Sequence, residues 1–304
     1  MEHLQLAINE IKSKMPRLEL RLNEPMKNHC SFRIGGPVAA MALPGGREEA
    51  EELCRLLRRM GVRPFVMGNG TNLLVTDRPL NRIVIKMSEK MGSITPHGDA
   101  GLTAGCGATL ARLATAAQGL GLSGLEFAHG IPGTLGGAVF MNAGAYGREM
   151  SQVVRSTVFL DEELRVCRFS GQEHGFSYRR SAFSDRDCVI LACDLELKPG
   201  DPQEIRQCMR DLAKRRRSSQ PLDMPSAGSV FKRPERGYAA ALIDQAGLKG
   251  YAVGGAQVSE KHAGFIVNRG GASFDDVIRL MEHVRETVYK TAGILLEPEV
   301  KIIA

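Results

Sequence analysis

The chain has no tryptophan, and phenylalanine and tyrosine together make up only 5% of its 304 residues. Proteins that bind nucleic acid by stacking interleave aromatic side chains with a concentrated basic stripe. The stripe is missing as well: 40 Lys and Arg against 34 Asp and Glu leave +6, spread along the chain apart from one cluster at residues 214–217. That balance suits an anionic small molecule and argues against a nucleic-acid partner. No apolar run approaches the roughly 18 residues of a spanning helix, so membrane insertion is not expected. The segment Met1–Lys14 alternates apolar and charged residues like a short amphipathic helix and lacks the unbroken apolar core of a signal peptide.

Paired cysteines and histidines are lacking too. Seven cysteines, an odd count, stand at 30, 54, 106, 167, 188, 193 and 208 with no Cys-x-x-Cys among them. This pattern points away from a disulfide framework or a thiolate zinc site and towards a reducing, cytoplasmic compartment. The seven histidines show no His-x-x-x-His spacing, so no metal site is expected. Hydrophobic content of 43% excludes a disordered chain, and the length calls for two or three modules.

The patterns present are those of an α+β protein. Arg47 to Met60 reads as a helix, with glutamates in the first turn, Arg58 and Arg59 in the last and Gly61 as a left-handed cap. Apolar runs at residues 64–67 and 83–85 read as strands, and 102–120 as a strand, a Gly-x-Gly turn and a helix. Runs at 153–160, 164–169 and 189–197 predict antiparallel sheet. Lys198-Pro199-Gly200 closes that section, and Asp201 with Pro202 and Glu204 starts a new helix that runs to the basic cluster. A second long helix starts at Ser273 and closes near Gly293, before a β pattern over 295–304.

Five stretches could carry chemistry. Gly68-Asn69-Gly70-Thr71-Asn72 follows a strand, and its glycines let backbone N–H groups converge on phosphate; a tight hairpin turn is the alternative. Gly130-Ile131-Pro132-Gly133-Thr134-Leu135-Gly136-Gly137, continuing to Asn142 and Tyr146, suggests close backbone approach to a ligand, or backbone packed on backbone. Two such stretches suit a ligand with two ends, such as a dinucleotide. Tyr178-Arg179-Arg180 offers a guanidinium fork for a carboxylate. Ser229 lies in an open, small-residue run, without a hydrolase triad or a Gly-x-Ser-x-Gly elbow. Glu299 begins the terminal β pattern.

Taken in order from about Asn28 to Ile303, these motifs resemble the UDP-N-acetylenolpyruvoylglucosamine reductase family, flavoenzymes of bacterial peptidoglycan synthesis. The resemblance implies a two-lobed FAD-binding domain of the vanillyl-alcohol-oxidase/PCMH type over residues 1–200, with lobes of about 1–90 and 91–200. Strand 295–304 completes it, and a smaller α+β substrate-binding domain covers 201–294. It implies FAD as cofactor, held by Arg33, Gly68, Asn69, Gly70, Thr71, Asn72, Gly130, Ile131, Pro132, Gly133, Thr134, Gly137, Asn142 and Tyr146. NADPH is the implied reductant, and a UDP-sugar enolpyruvyl ether the substrate. Arg179, in Tyr-Arg-x-Ser-x-Phe, corresponds to a catalytic arginine, Ser229 to a proton donor and Glu299 to a catalytic glutamate. Tyr178, Arg217, Lys232 and Gln257 resemble substrate contacts.

Two departures are Cys30, where the family commonly has a hydroxyl residue, and Thr71 in place of a frequent serine. The short span from Tyr178 to Gly228 favours the subclass without an inserted tyrosine loop, and a monomer is expected. Rival readings are a flavin oxidase of the same architecture and a non-catalytic binder of nucleotide sugars.

Overall fold

The computed structural model describes residues 2–304 and divides into two compact units, each assembled from separate stretches of chain. The first takes the residues up to Leu22, Ala40–Asn69 and Asn81–Lys214; the second takes Asn23–Ala39, Gly70–Leu80 and Arg215–Ala304.

The first unit is built on a five-stranded antiparallel sheet ordered Val166–Ser170, Val154–Leu160, Val189–Glu196, Gly101–Gly105, Ile94–His97. Its central strands come from the β-branched runs anticipated at 153–160 and 189–197. Thr157 and Phe159 are buried there on one face, as β-rich strands with one face on a core require. The sheet's other face is held by Asp194, which accepts from Thr103 Oγ1 at 2.7 Å, Ser156 Oγ at 2.8 Å and Arg168 Nη1 at 2.6 Å. Burial alone would raise this carboxyl, but those donors outweigh it and hold its pKa below the ordinary carboxylate value. A second sheet, ordered Glu19–Pro25, Pro37–Leu43, Leu80–Lys86, Phe65–Met67, pairs its last two strands in parallel. The anticipated helix is Arg47–Arg59, burying Ala50, Leu53, Cys54, Leu56 and Leu57, and Gly61 follows it at φ +64°.

The second unit packs helices Ala239–Gln245 and Phe274–Ala292 on a four-stranded sheet ordered Ser226–Ser229, Phe265–Asn268, Ala256–Val258, Ala252–Val253. The long helix has both expected ends: Ser273 accepts from Asp276 N while Asp276 reaches back, and Gly293 closes it at φ +68°. Phe32, Ile34 and Leu74 sit in one buried cluster with Val230, Val258, Val284 and Leu296. That shared core is why residues 23–39 and 70–80 belong with the C-terminal part of the chain. Residues 295–304 also lie in this unit, where Lys301–Ile303 pairs in parallel with Leu73–Val75.

The unit boundary near 214 falls one helix later than the turn at 198–200. Asp201 caps the helix Pro202–Ser219 through Gln203 N and Glu204 N, as its sequence implies. However, Gln118 Nε2 donates to Pro202 O at 3.0 Å, and Gly200 N donates to Gly121 O, tying the start of that helix to the first unit. None of the described helices is long and apolar enough to cross a membrane.

Candidate flavin and substrate site

In the first unit the two glycine-rich stretches meet. A Cβ built on Gly68 would lie 2.1 Å from Thr134 Oγ1, so only glycine fits at that position. Thr134, 2% exposed, leads into a short helix Leu135–Phe140 within the glycine-rich stretch. The segment is strapped to the turn before helix Leu110–Gly119 by three backbone bonds: Leu110 N to Gly133 O, Leu135 N to Ala108 O and Gly136 N to Cys106 O. Burial pushes the Cys106 thiol up to about 12, as it does Cys193, so neither is a thiolate at neutral pH.

The loop at 68–72 is not a hairpin. Phe65–Met67 pairs with Leu80–Lys86, whereas Leu73–Val75 pairs with Lys301–Ile303, so its flanking strands belong to different sheets. Gly70 takes φ +61°, and its carbonyl accepts from Ser31 N at 3.2 Å. Asn72 Nδ2 donates to Glu299 O at 3.1 Å.

Six described non-glycine residues have a left-handed backbone: Asn23, Arg33, Asn142, Tyr146, Leu164 and Arg179. Four of the six, Arg33, Asn142, Tyr146 and Arg179, are candidates from the sequence. Such conformations persist where surrounding structure enforces them, and they concentrate at ligand sites. Asn142 is fully buried, with both amide ends bound to protein: Nδ2 donates to Ser177 O and Oδ1 accepts from Ser151 N. Tyr146 donates its hydroxyl to Leu212 O at 3.2 Å. Ile131 and Gly133 are half-buried, while Pro132 and Gly137 are exposed.

Tyr178 and Arg179 occupy the tip of a turn closed by Ser177 and Arg180, whose backbones exchange hydrogen bonds at 3.0 and 3.2 Å. The turn is anchored from below. Ser181 Oγ donates to Phe140 O at 2.7 Å, and fully buried Phe183 packs edge-on against Phe159 at 5.1 Å. Of the two adjacent arginines, Arg180 is ion-paired with Asp185. The half-buried Arg179 guanidinium lies 3.4 Å from Gly144 O and 5.1 Å over the Tyr178 ring.

In the second unit, Ser229 ends strand Ser226–Ser229 and is exposed, directly after Gly228 at φ +75°. Glu299 runs alongside: its N–H donates to Val230 O at 2.7 Å, and Phe231 bridges Pro298. Lys232 N donates to Glu297 O and its ammonium pairs with the Glu297 carboxylate. Gln257 donates Nε2 to Gly250 O at 2.8 Å, and Arg217 O accepts from Lys261 Nζ at 2.5 Å. Arg33 is exposed at φ +56°.

Ser229 and Glu299 thus come together on one unit, and Gly68 and Thr134 on the other. A surface cleft of about 440 Å³ elsewhere in the first unit is lined by Arg55, Arg58, Arg59, Glu163 and Leu164 and includes none of these candidates. Among the described residues, no cluster of three His, Cys, Asp or Glu could hold a metal ion.

The glycine-built segments offer main-chain N–H groups of the kind that hold a dinucleotide's phosphates, with Gly70 in the left-handed region at φ +61°. Residues 38–169 match the family model described as an FAD binding domain. Fold and site therefore define an FAD-dependent oxidoreductase. Residues 220–303 match the model of the UDP-N-acetylenolpyruvoylglucosamine reductase C-terminal domain. The chain is 46% identical over 299 residues to the UDP-N-acetylenolpyruvoylglucosamine reductase of Caldanaerobacter subterraneus subsp. tengcongensis, covering 98% of each chain. It is 42% identical over 303 residues to that of Clostridioides difficile, covering 100% of this chain and 99% of the relative. The crystal structure of the Thermus caldophilus reductase superposes with a TM-score of 0.80 at 33% identity, covering 95% of this chain and 99% of that one. The chain belongs to the UDP-N-acetylenolpyruvoylglucosamine reductase family.

Proposed function

We propose that the protein reduces the enolpyruvyl ether of UDP-N-acetylglucosamine to UDP-N-acetylmuramate for peptidoglycan synthesis, with NADPH as reductant, as a monomer in the cytoplasm. The redox chemistry would be that of FAD when bound, hydride passing from NADPH to the enolpyruvyl group by way of the flavin. The FAD-binding part, to about residue 200, holds the cofactor through Arg33, the 68–72 loop, the 130–137 strap, Asn142 and Tyr146. The part from 201 to 294 binds the sugar nucleotide, with Arg217, Lys232 and Gln257 as contacts, and Tyr178 as a further contact beside Arg179.

Arg179 stabilises negative charge that develops on the substrate carboxylate, which a guanidinium fork does best when it is already positioned. Ser229 Oγ delivers the proton to the carbon next to the one reduced, a task for a weak acid held in place. Glu299 orients that hydroxyl and balances charge. The observation that carries the reading is the exposed Ser229 hydroxyl on a strand bound by its neighbour Val230 to Glu299 N.

The test is anaerobic spectroscopy on the purified protein. Its flavin absorbance should bleach with NADPH and return only when the enolpyruvyl sugar nucleotide is added. Colour restored by oxygen faster than by that substrate would mark a flavin oxidase; protein that takes up no flavin would mark a nucleotide-sugar binder.

A further inference from the structure

Ser229 sits where its strand departs from regular pairing. Ser226 pairs with Val267 and Ser229 with Phe265, so three steps along one strand face two along the other and one extra residue is taken up between them. In an unbroken strand, residues two apart share a face. Here Ala227 is 3% exposed and lies in the buried cluster with Val230 and Phe231, whereas Ser229 is exposed. The extra residue turns the Ser229 side chain away from the core face, the re-aiming that a β-bulge produces. Gly228 supplies the bend at φ +75°. A Cβ there would meet nothing within 4 Å, so the conformation and not crowding calls for glycine.

A bulge interrupts the ladder, and this strand lies at the edge of its sheet, paired on one side only. Beyond Ser229 the main chain is fixed at Val230, whose N–H donates to Gly264 O at 2.9 Å and whose carbonyl accepts from Glu299 N. Before Ser229, Pro225 O accepts from Asn268 N at 2.9 Å, and the carbonyl of Ser226 accepts from Ser31 Oγ at 2.6 Å. Ser31 is itself held on both sides. Its N–H donates to Gly70 O at 3.2 Å, and the carbonyl of fully buried Phe32 accepts from Asn268 Nδ2 at 3.1 Å. All of these residues belong to the second unit. We propose that Ser31 is a positioning residue for Ser229, its hydroxyl pinning the free edge of the strand at Ser226 so that the bulge presents the Ser229 hydroxyl at one place. The proposal rests on the reading of Ser229 as proton donor and deepens it; Ser31 acts through the strand and not by contact with the substrate.

The test follows each half-reaction of the purified flavoprotein by anaerobic stopped flow over a range of enolpyruvyl substrate concentrations. It compares wild type, Ser31→Ala, Ser31→Thr, Ser229→Ala and the Ser31→Ala/Ser229→Ala double variant. Ser31→Ala should bleach with NADPH at the wild-type rate, while its maximal rate of reoxidation falls about tenfold, the scale of one hydrogen bond, at an unchanged half-saturating substrate concentration. Ser31→Thr, which keeps the donor, should recover most of that rate. In the Ser229→Ala background, loss of the Ser31 hydroxyl should slow reoxidation no further, because the group it positions is already gone. Reoxidation of Ser31→Ala within about twofold of wild type overturns the proposal, as does a loss of about tenfold that persists in the Ser229→Ala background or appears equally in both half-reactions. If Ser31→Ala takes up no flavin, Ser31→Cys, which keeps the size and weakens the donor, takes its place; loss of flavin there too would make Ser31 structural and overturn the proposal. Ser229→Ala that reoxidises at the wild-type rate would instead overturn the reading of Ser229 itself, and with it this inference.

Discussion

Glu299 N donates to Val230 O at 2.7 Å, so the chain's last segment is fixed by main-chain contact beside the residue that follows Ser229. Asn72 Nδ2 holds the same residue from its carbonyl side at 3.1 Å. Both bonds use Glu299 backbone, leaving the position of the carboxylate's main chain independent of its charge. Glu299→Gln keeps both main-chain bonds and should therefore retain the fold, and bleach normally with NADPH. Its reoxidation by the enolpyruvyl substrate should slow by about 10²-fold, the scale of one acid–base partner. Calorimetry and stopped-flow absorbance check the two halves of this expectation.

The contact between Gly68 and Thr134 joins the two glycine-rich segments and leaves no space for a side chain. Gly68→Ala should destabilise the protein by about 1–3 kcal/mol through overpacking and lower its FAD content. Thr134→Ala removes the atom 2.1 Å from the new methyl group, so the double variant should recover about 1 kcal/mol or more relative to additivity. A double-mutant cycle by urea denaturation, with bound flavin measured in parallel, reads both quantities.

Arg179 has a left-handed backbone at φ +56°, a region costing an ordinary residue about 1–2 kcal/mol. Glycine adopts it freely but adds about 0.5–1 kcal/mol of unfolded-state entropy. Arg179→Gly should therefore melt at the wild-type temperature or slightly above, and keep its flavin. The half-reaction with the enolpyruvyl substrate should fall by 10²-fold or more as the guanidinium is lost. A colourless or unstable variant would make Arg179 a structural residue.

Asp194 makes stability pH-dependent. Partial burial opposes its charge, but Thr103, Ser156 and Arg168 donate to the carboxylate and depress its pKa in the fold. The ionised form thus favours the native state. Its contribution is fully present above the ordinary value of about 3.9 and is lost as pH falls below that, through the depressed native value. Asp194→Asn should lower stability at pH 7 by about 1–3 kcal/mol, the range for hydrogen bonds to a charged group. The gap from wild type should narrow near pH 3. Urea midpoints at the two pH values measure it.

Much of the fold could be read from local chemistry. Ser273 and Gly293 bound their helix as expected because capping depends on a few adjacent residues. The antiparallel sheet followed from β-rich runs at 153–160 and 189–197. Features decided by distant partners could not be read this way. The helix Leu135–Phe140 contains two glycines and exists because Leu135, Ala138 and Val139 are buried. The terminal β pattern narrows to Lys301–Ile303, where Leu73–Val75 offers only three residues to pair with. Gln118, 84 residues from Pro202, helps tie the start of helix Pro202–Ser219 to the first unit. At the site, the motif residues stood out through their glycines and serine, and four of them share an uncommon backbone conformation.

The most direct measurement is single-turnover stopped flow on Ser229→Ala beside wild type, with each half-reaction followed at the flavin band. Bleaching by NADPH should proceed at the wild-type rate, while recovery of colour with the enolpyruvyl sugar nucleotide should slow by about 10²–10⁴-fold, the usual contribution of a positioned proton donor. Equal slowing of both steps, or recovery at the wild-type rate, would contradict the role assigned to that hydroxyl.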